Sequence, residues 1–325
     1  MLQRILLGID GSEGSEGAVR HALALADATD ATLHVLAVVE TLAGLDADPD
    51  GSRSSDADDA DPVGGQRSDA DDTDPDNTVS DANSGAPETT PDVDWPERAL
   101  ADVTARAESR GVTVETTVER GVPYRRIVDH ARAADLVVVG RHGTGGLREF
   151  LLGSTAERVV RRSPVPVVTP ETDAPAVPAY DTLLLCLDGS DGARAAVAPT
   201  TDLARACGAT VHVLSVVDTT PFDPDVVVDL LDGFETIAAE VVDGVAADLG
   251  AVGVETVTAV ERGAAAATVR TYASRVDADL VAMGVTGATG LDASLLGSTT
   301  AKVLRAGERA VLTAPRPPDS PPPSV

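Results

Sequence analysis

The stretch ILLGIDGSEGSEGAVRHALALADATDATLHVLAVVE, Ile5–Glu40, occurs twice in this chain in recognisable form. It aligns without gaps on LLLCLDGSDGARAAVAPTTDLARACGATVHVLSVVD, Leu183–Asp218, and Asp10-Gly-Ser falls on Asp188-Gly-Ser. Self-similarity of this length is the signature of a repeated structural unit. The sequence therefore predicts two copies of one domain.

Each copy alternates short apolar runs with segments of helical periodicity. Runs such as Arg4–Ile9 and Thr32–Val39 have the length of strands, and Ser15–Asp27 between them has the pattern of an amphipathic helix. This alternation is typical of a doubly wound parallel α/β sheet. We predict two tandem flavodoxin-like (Rossmann-like) domains, each a five-stranded parallel sheet of order 3-2-1-4-5 flanked by four helices. The first helix of copy two is predicted over Gly192–Cys207.

Two segments of low complexity depart from this pattern. Residues 44–94 are mostly Asp, Ser, Gly and Pro, and they cannot bury enough apolar surface to offset the entropy of ordering. The Pro-rich end of the chain is similar in kind. We therefore predict a first domain over residues 1–171 with a disordered acidic insertion at 44–94, a second domain over 180–315, and a disordered tail over 316–325.

The charge of the chain bears on its partners and its source. The 325 residues include 53 acidic and 25 basic side chains, which give a formal net charge of −28, and Lys302 is the one lysine. Nucleic-acid binding needs basic patches, so no nucleic-acid partner is predicted. Acidic, lysine-poor chains suit a salt-loaded cytoplasm, where ionic strength screens self-repulsion. This composition predicts a halophilic source.

The apolar runs and the cysteines bear on location. No run approaches the roughly 18 residues that span a bilayer, and the N-terminal region turns polar too soon for a signal peptide. We expect no membrane insertion and a cytoplasmic location. Cys186 and Cys207 lack CxxC and metal-ligand spacing, so we expect buried free thiols.

A second motif follows the fourth predicted strand of each copy. It reads GRHGTGGLREFLLGST at Gly140–Thr155 and GVTGATGLDASLLGST at Gly284–Thr299. Both hold a glycine, a second glycine three residues on, and Gly-Ser ten residues later. In a sheet of this order the first and fourth strands border the crevice in which ligands bind. Because Asp10 and Asp188 end the first strands, the repeated motifs converge on one cleft per domain.

The spacing of these glycines suits a phosphate group. Glycine directly after a strand permits a close backbone approach and positive φ, so successive amides can line an anion site. The later Gly-Ser opens the last helix, where unpaired amides and the helix dipole favour phosphate. Asp10 and Asp188 can accept bonds from ribose hydroxyls or hold a magnesium ion. The structural alternatives are turn-forming glycines and an Asp-Gly-Ser that only caps the first helix.

The pattern G-x2-G-x9-G-[ST], with an aspartate that ends the first strand, resembles the universal stress protein (UspA) family, specifically its ATP-binding branch. The resemblance covers both copies, and it implies ATP or a related adenine nucleotide as ligand, with Mg as a candidate companion, and a stress-response or regulatory role. It also implies that the two domains pair through their last strands as an intramolecular pseudo-dimer. Glu308 and Arg309 depart from the family's pattern at the last strand of copy two. The formation of a further homodimer and the identity of the protein partner stay open.

The resemblance assigns binding positions in each copy. By this resemblance the glycines, the serine and the threonine bind the phosphates, the aspartate binds the nucleotide, and a valine contacts the adenine through its backbone. In copy one these are Asp10, Val38, Gly140, Gly143, Gly153, Ser154 and Thr155. In copy two they are Asp188, Val216, Gly284, Gly287, Gly297, Ser298 and Thr299. Arg141, in the loop of copy one, is added as a nucleotide-binding residue; copy two has Val285 there and Asp292 farther along the loop. We therefore expect tighter binding in copy one.

Three alternatives stay open. Slow ATP hydrolysis would need a catalytic residue, but the Walker lysine motif, a nucleophile elbow and a Cys–His pair are all absent, so none is assigned. Enzymes of the related adenine-nucleotide α-hydrolase superfamily usually carry SGGxDS, which DGSEGS and DGSDGA do not match. The third alternative is a nucleotide-independent interaction module that regulates a partner such as a transporter.

Overall fold

The computed structural model describes residues 2–40, 94–142, 152–176, 178, 180–220, 228–286 and 296–316. The predicted insertion, except for Asp94, and the predicted tail beyond Arg316 lie outside these residues. Gly143 and Gly287 of the repeated motif also lie outside them.

Strands and helices alternate through both copies. Copy one contains β1 (Arg4–Ile9), α1 (Glu13–Thr29), β2 (Thr32–Glu40), α2 (Trp95–Glu108), β3 (Val114–Gly121), α3 (Pro123–Ala131), β4 (Leu136–Val139), α4 (Ser154–Arg162) and β5 (Val167–Thr169). Copy two contains β6 (Thr182–Leu187), α5 (Asp191–Arg194), α6 (Val197–Cys207), β7 (Thr210–Asp218), α7 (Val228–Ala251), β8 (Thr256–Gly263), α8 (Ala265–Arg275), β9 (Leu280–Gly284), α9 (Ser298–Ala306) and β10 (Ala310–Ala314). Among the helices described, none combines the length and the apolar character needed to cross a membrane.

The ten strands form one sheet of order β3-β2-β1-β4-β5-β10-β9-β6-β7-β8. Within each copy the strands are parallel and follow the order 3-2-1-4-5, which confirms the predicted fold class. The two halves join where β5 pairs antiparallel with β10, with Leu312 opposite Val168. Glu308 and Arg309 precede β10 and bond to Arg270 and Asp277 of copy two, so these charges leave the strand pairing intact.

Both faces of the sheet are covered by helices, and both are apolar. Alternate residues of a strand point to opposite faces, so Ile5 faces α1 and α2 while Leu6 faces α3 and α4. The equivalent residues of copy two, Leu183 and Leu184, divide in the same way and belong to the same two apolar layers. The copies therefore share one continuous core on each face.

The first helix of copy two is not the single helix Gly192–Cys207 that the sequence predicts. The structure has a four-residue α5 and an eleven-residue α6, with a break at Ala195 and Ala196. Pro199 has no N–H to donate to the carbonyl of Ala195, the bond that a continuous helix would need. The proline instead occupies the first turn of α6, where a missing donor is tolerated.

An aspartate before the fourth strand of each copy anchors the first strand. Asp135 Oδ2 accepts hydrogen bonds from the backbone N–H groups of Gln3 and Arg4, at 2.7 and 2.9 Å. Asp279 Oδ2 does the same in copy two for the N–H groups of the residues at 181 and 182, at 2.8 and 2.9 Å. These repeated aspartates therefore hold neighbouring strands in register at the edge opposite the predicted cleft.

Both cysteines are free thiols, as the sequence predicts, but only one is fully buried. Burial raises the pKa of Cys186 to about 12. Cys207 is half-buried, and burial together with the nearby charge of Asp181 raises its pKa to about 11. Because the thiolate is the reactive form, neither side chain is a nucleophile at neutral pH.

His212 gives stability a specific dependence on pH. Its Nδ1 lies 3.1 Å from the Tyr272 hydroxyl, and burial lowers its pKa below the ordinary 6.5. The unfolded chain takes up a proton more readily, so the stability that neutral His212 contributes is complete above about pH 6.5 and decreases as the pH falls toward the lowered pKa. We expect the free energy of unfolding of wild type, relative to His212→Gln, to decrease from about pH 7.5 to about pH 5.5. Urea titration of both proteins at both pH values measures this difference, and an unchanged difference would contradict the burial effect.

Candidate functional site

One backbone hydrogen bond closes the repeated motif in each copy. The N–H of Gly153 donates to the carbonyl of Arg141 at 2.7 Å, and the N–H of Gly297 donates to the carbonyl of Val285 at 2.8 Å. Each carbonyl belongs to the residue after a strand-ending glycine. The bond therefore brings the start of α4 to the end of β4, and the start of α9 to the end of β9, at the carboxyl edge of the sheet.

The first turns of α4 and α9 have no side-chain cap. Gly153 and Gly297 occupy the N-cap positions, with φ and ψ of −60° and 148° in one and −56° and 140° in the other, and among the described residues neither helix has a side-chain cap bond. The serine that follows is exposed and the threonine after it is half-buried in both copies. Uncapped amides at the positive end of a helix dipole, next to an exposed hydroxyl, form a surface suited to an anion.

The strand-ending glycines Gly140 and Gly284 are packed against the first helix of their own copy. A Cβ on Gly140 would lie 2.6 Å from the carbonyl oxygen of Gly14. A Cβ on Gly284 would lie 2.6 Å from the carbonyl carbon of Gly192 and 2.9 Å from the Cα of Ala193. These glycines are therefore required by close packing of backbone on backbone.

Positive φ occurs elsewhere in the cleft than the sequence predicts. Neither Gly140 nor Gly284 adopts it, so that part of the prediction is wrong. Among the described glycines of the repeated motifs, those with positive φ are Gly11 and Gly189, in the Asp-Gly-Ser turns, at 72° and 81°. The left-handed conformation that favours glycine thus belongs to the turn after the first strand of each copy.

The aspartates of the Asp-Gly-Ser segments organise those turns. Asp10 Oδ1 accepts hydrogen bonds from the N–H and the hydroxyl of Ser12, at 3.0 and 2.6 Å. Asp188 Oδ1 accepts the same two bonds from Ser190, at 2.9 and 2.5 Å. The cap that the structural alternative requires is present in copy two, where the N–H of Ala193 donates to the Ser190 hydroxyl, whereas Ser12 makes no side-chain cap bond in copy one. In both copies the turn uses one oxygen of the aspartate. A carboxylate has further acceptor positions, so this role is compatible with a bond to a ligand.

Arg141 is turned away from the candidate site. The residue is 3% exposed. Its Nη2 donates to the carbonyl of Leu304 and, at 3.2 Å, to the carbonyl of Arg305, and both carbonyls lie at the carboxyl end of α9 in the other copy. Burial lowers the pKa of the guanidinium to about 10, while the charge of Glu171 acts in the opposite direction. The side chain thus bridges the two copies and does not face the predicted site, so nucleotide binding by Arg141 stays a prediction for its backbone alone. Val285, the equivalent residue, is buried in the apolar core.

The predicted adenine positions lie near the ends of the second strands. Val38 is buried, at 3% exposure, and Val216 is half-buried. Both pack on the face of the sheet that α3, α4, α8 and α9 cover. They therefore lie on the same side of the sheet as the uncapped helix starts.

A cavity of about 490 Å³ lies beside α9 in copy two. Its lining includes Asp218 at the end of β7, Arg270 on α8, and Ser298, Thr299 and Lys302 on α9. The repeated motif includes the serine and the threonine but neither basic residue. Lys302 follows the motif in sequence, and Arg270 lies on α8. The signal that could have found one of them is that Lys302 is the one lysine of the chain.

Comparison with known proteins agrees with this fold. The model of the universal stress protein family matches residues 1–169 and 179–315. Universal stress protein MJ0531 of Methanocaldococcus jannaschii is 43% identical over 74 residues, which are 22% of this chain and 44% of that protein. This chain covers 34–49% of the length of the first three curated relatives.

Solved structures give the same result for the fold. A universal stress protein from Archaeoglobus fulgidus DSM 4304 has a TM-score of 0.65 at 20% identity, over 96% of this chain and 98% of that chain. A universal stress protein in complex with cAMP covers 53% of this chain with a TM-score of 0.33, too low to indicate the ligand here. From the two family matches, which together span most of the residues, the chain belongs to the universal stress protein family and carries its domain twice.

Proposed function

We propose that this chain is a nucleotide-binding universal stress protein of the ATP-binding branch, with a stress-response or regulatory role in the cytoplasm of a halophilic archaeon. The observation that carries the proposal is the uncapped start of α4 and of α9, each held at the carboxyl edge of the sheet by the N–H of Gly153 or Gly297. Its occurrence in both copies supports one site in each of the domains 1–171 and 180–315.

The residues at this edge fit the chemical groups of ATP. Phosphate oxygens would accept bonds from the first amides of the helices and from the hydroxyls of Ser154, Thr155, Ser298 and Thr299. Asp10 and Asp188 would accept bonds from ribose hydroxyls or bind magnesium through an oxygen that the turn does not use. The backbone at Val38 and Val216 would border the adenine. Magnesium, when bound, supplies positive charge beside the phosphates.

Purification in molar salt, followed by mass spectrometry of released nucleotide and calorimetric titration with ATP and magnesium, tests this proposal. We expect adenine nucleotide at one or two per chain. Ser298→Ala with Thr299→Val should weaken binding in copy two about tenfold or more, because a hydrogen bond to a charged group contributes about 1.5–3 kcal/mol. Ser154→Ala with Thr155→Val should do the same in copy one.

Thr236→Ala serves as the matched control, because Thr236 is an exposed hydroxyl residue on α7 outside the candidate site. Its affinity for ATP should equal that of wild type. If wild type releases no nucleotide and binds none on addition of ATP and magnesium, the proposal is wrong. A nucleotide-independent module that regulates a partner is then the better account of the chain.

A further inference from the structure

The two copies differ at the second residue of the helix that follows their third strand. The strands β3 and β8 both end in Val-Glu-Arg-Gly, so the helices after them can be aligned residue by residue. Copy one has Tyr124 at this place in α3, and copy two has Ala266 in α8. An aromatic ring is thereby replaced by a methyl group next to the candidate site.

In copy one the ring of Tyr124 lies between α3 and α4 together with two arginines. The guanidinium carbons of Arg158 and Arg162, both on α4, lie 5.1 and 5.3 Å from the centre of the ring. These distances are those of cation–π contacts. The side chains of three residues therefore occupy the groove between the helices in copy one.

In copy two the corresponding groove between α8 and α9 is the cavity of about 490 Å³. Ala266 lines it in the place of the tyrosine, and Lys302 lines it in the place of Arg158. A cavity of this size is within the range of small-molecule sites. Copy two therefore has room for a ligand where copy one has its own side chains.

The charge of this cavity is unusual for so acidic a chain. Lys302 and Arg305 line it and are exposed, and no carboxylate of the described residues lies within ion-pair distance of either. The third basic residue, Arg270, bonds to Glu308 at 3.0 Å. Asp218 is the one acidic residue of the lining. Basic side chains that line a concave surface concentrate anions there, even in a protein of negative net charge.

We propose that this cavity binds the distal phosphate of a nucleoside polyphosphate, with Lys302 as a phosphate-binding residue and Ser298 and Thr299 bound to the phosphate before it. The inference rests on the proposed function and names the class of ligand in copy two. Copy one, in which Tyr124 occupies the groove, binds the same ligand more weakly. This ranking is the reverse of the one that the loop sequences predict, since Arg141 does not face the site.

A cavity for the distal phosphate makes the affinity of copy two depend on phosphate number. ATP should bind more tightly than ADP, and ADP more tightly than AMP, because each further phosphate adds charge near Lys302. Lys302→Gln removes the positive charge and keeps a polar side chain that is one atom shorter. We expect this variant to lose about tenfold in affinity for ATP and less than threefold for AMP, in line with a charge-assisted bond to one phosphate.

Ala266→Tyr gives copy two the side chain of copy one and tests the cavity itself. We expect it to lower the affinity of the tighter site about tenfold for ATP and also for tripolyphosphate, which has the phosphates without the nucleoside. Tyr124→Ala is the matched change in copy one and should leave the tighter site unaltered. Circular dichroism and thermal unfolding check that each variant is folded, and Lys302→Gln tests the same pocket should Ala266→Tyr not fold.

The two probes separate the inference from the proposed function. If ATP binds but Ala266→Tyr and Lys302→Gln both stay within twofold of wild type, the pocket is wrong and the proposed function stands. If tripolyphosphate binds in a manner that depends on Lys302 while no nucleotide binds, the proposed function is wrong and the anion pocket stands.

Discussion

Gly284→Ala is expected to destabilise the protein by about 3 kcal/mol, since overpacking of a tight contact typically costs about 1–3 kcal/mol and backbone atoms adapt least. The new Cβ would lie 2.6 Å from the carbonyl carbon of Gly192 and nearer still to its oxygen. The start of α5 cannot easily retreat, because the N–H of Ala193 bonds to the Ser190 hydroxyl at 3.1 Å and that hydroxyl bonds to Asp188. Urea unfolding at constant salt measures the loss.

Gly244→Ala is the matched control for this prediction. Gly244 lies within α7, and a Cβ built on it meets no atom within 4 Å. Alanine there should stabilise the protein by about 0.5–1 kcal/mol, because a glycine within a helix costs that much relative to alanine. A Gly284→Ala protein as stable as wild type would contradict the close packing. The prediction also means that lost ATP binding in such a variant would not identify Gly284 as a ligand contact.

Glu171→Leu is expected to destabilise the protein by about 2 kcal/mol, since it removes the negative charge that acts on the buried guanidinium of Arg141 and leaves that cation uncompensated. Its carboxylate acts against the burial of Arg141, whose Nε and Nη1 are buried without a hydrogen-bond partner. The same carboxylate lies 3.0 Å from His21 Nε2, at ion-pair distance but outside hydrogen-bond geometry. Thermal and urea unfolding of the variant at constant salt measure the effect.

A double variant separates the charge from the packing. Arg141→Val, which installs the residue type of copy two, removes the buried cation. Combined with Glu171→Leu, it should recover about half or more of the lost stability, because no buried cation is then left uncompensated. If the two changes instead destabilise additively, the two side chains do not compensate each other across the boundary between the copies.

The sequence was sufficient for the fold because each strand is buried on both faces and each helix is amphipathic. β1 begins and ends at the predicted residues, β2 extends one residue beyond the predicted Thr32–Val39, and α1 extends two residues beyond the predicted Ser15–Asp27 at each end. The order of the strands followed from the repeat and from the general rules of parallel sheets. The predicted single helix over Gly192–Cys207 is wrong because Pro199 interrupts the backbone hydrogen bonds of an otherwise continuous helical pattern.

The candidate site was only partly predictable, for a different physical reason. Gly153 and Gly297 act through local backbone geometry, which a motif records. Arg141 binds carbonyls 163 and 164 residues away, and no local pattern indicates such a partner. The cavity depends on Ala266, an ordinary helical alanine whose importance appears only when three elements pack together.

The antiparallel contact between β5 and β10 has an evolutionary consequence. Where two identical subunits meet about a two-fold axis, every substitution appears on both sides at once. Here a single gene encodes both halves, so Arg141 can face one side of the pseudo-axis while Val285 occupies the other. In a symmetric dimer each subunit would otherwise carry a buried guanidinium. Tandem duplication thus frees one half of the molecule to change its ligand while the other half keeps its inherited form.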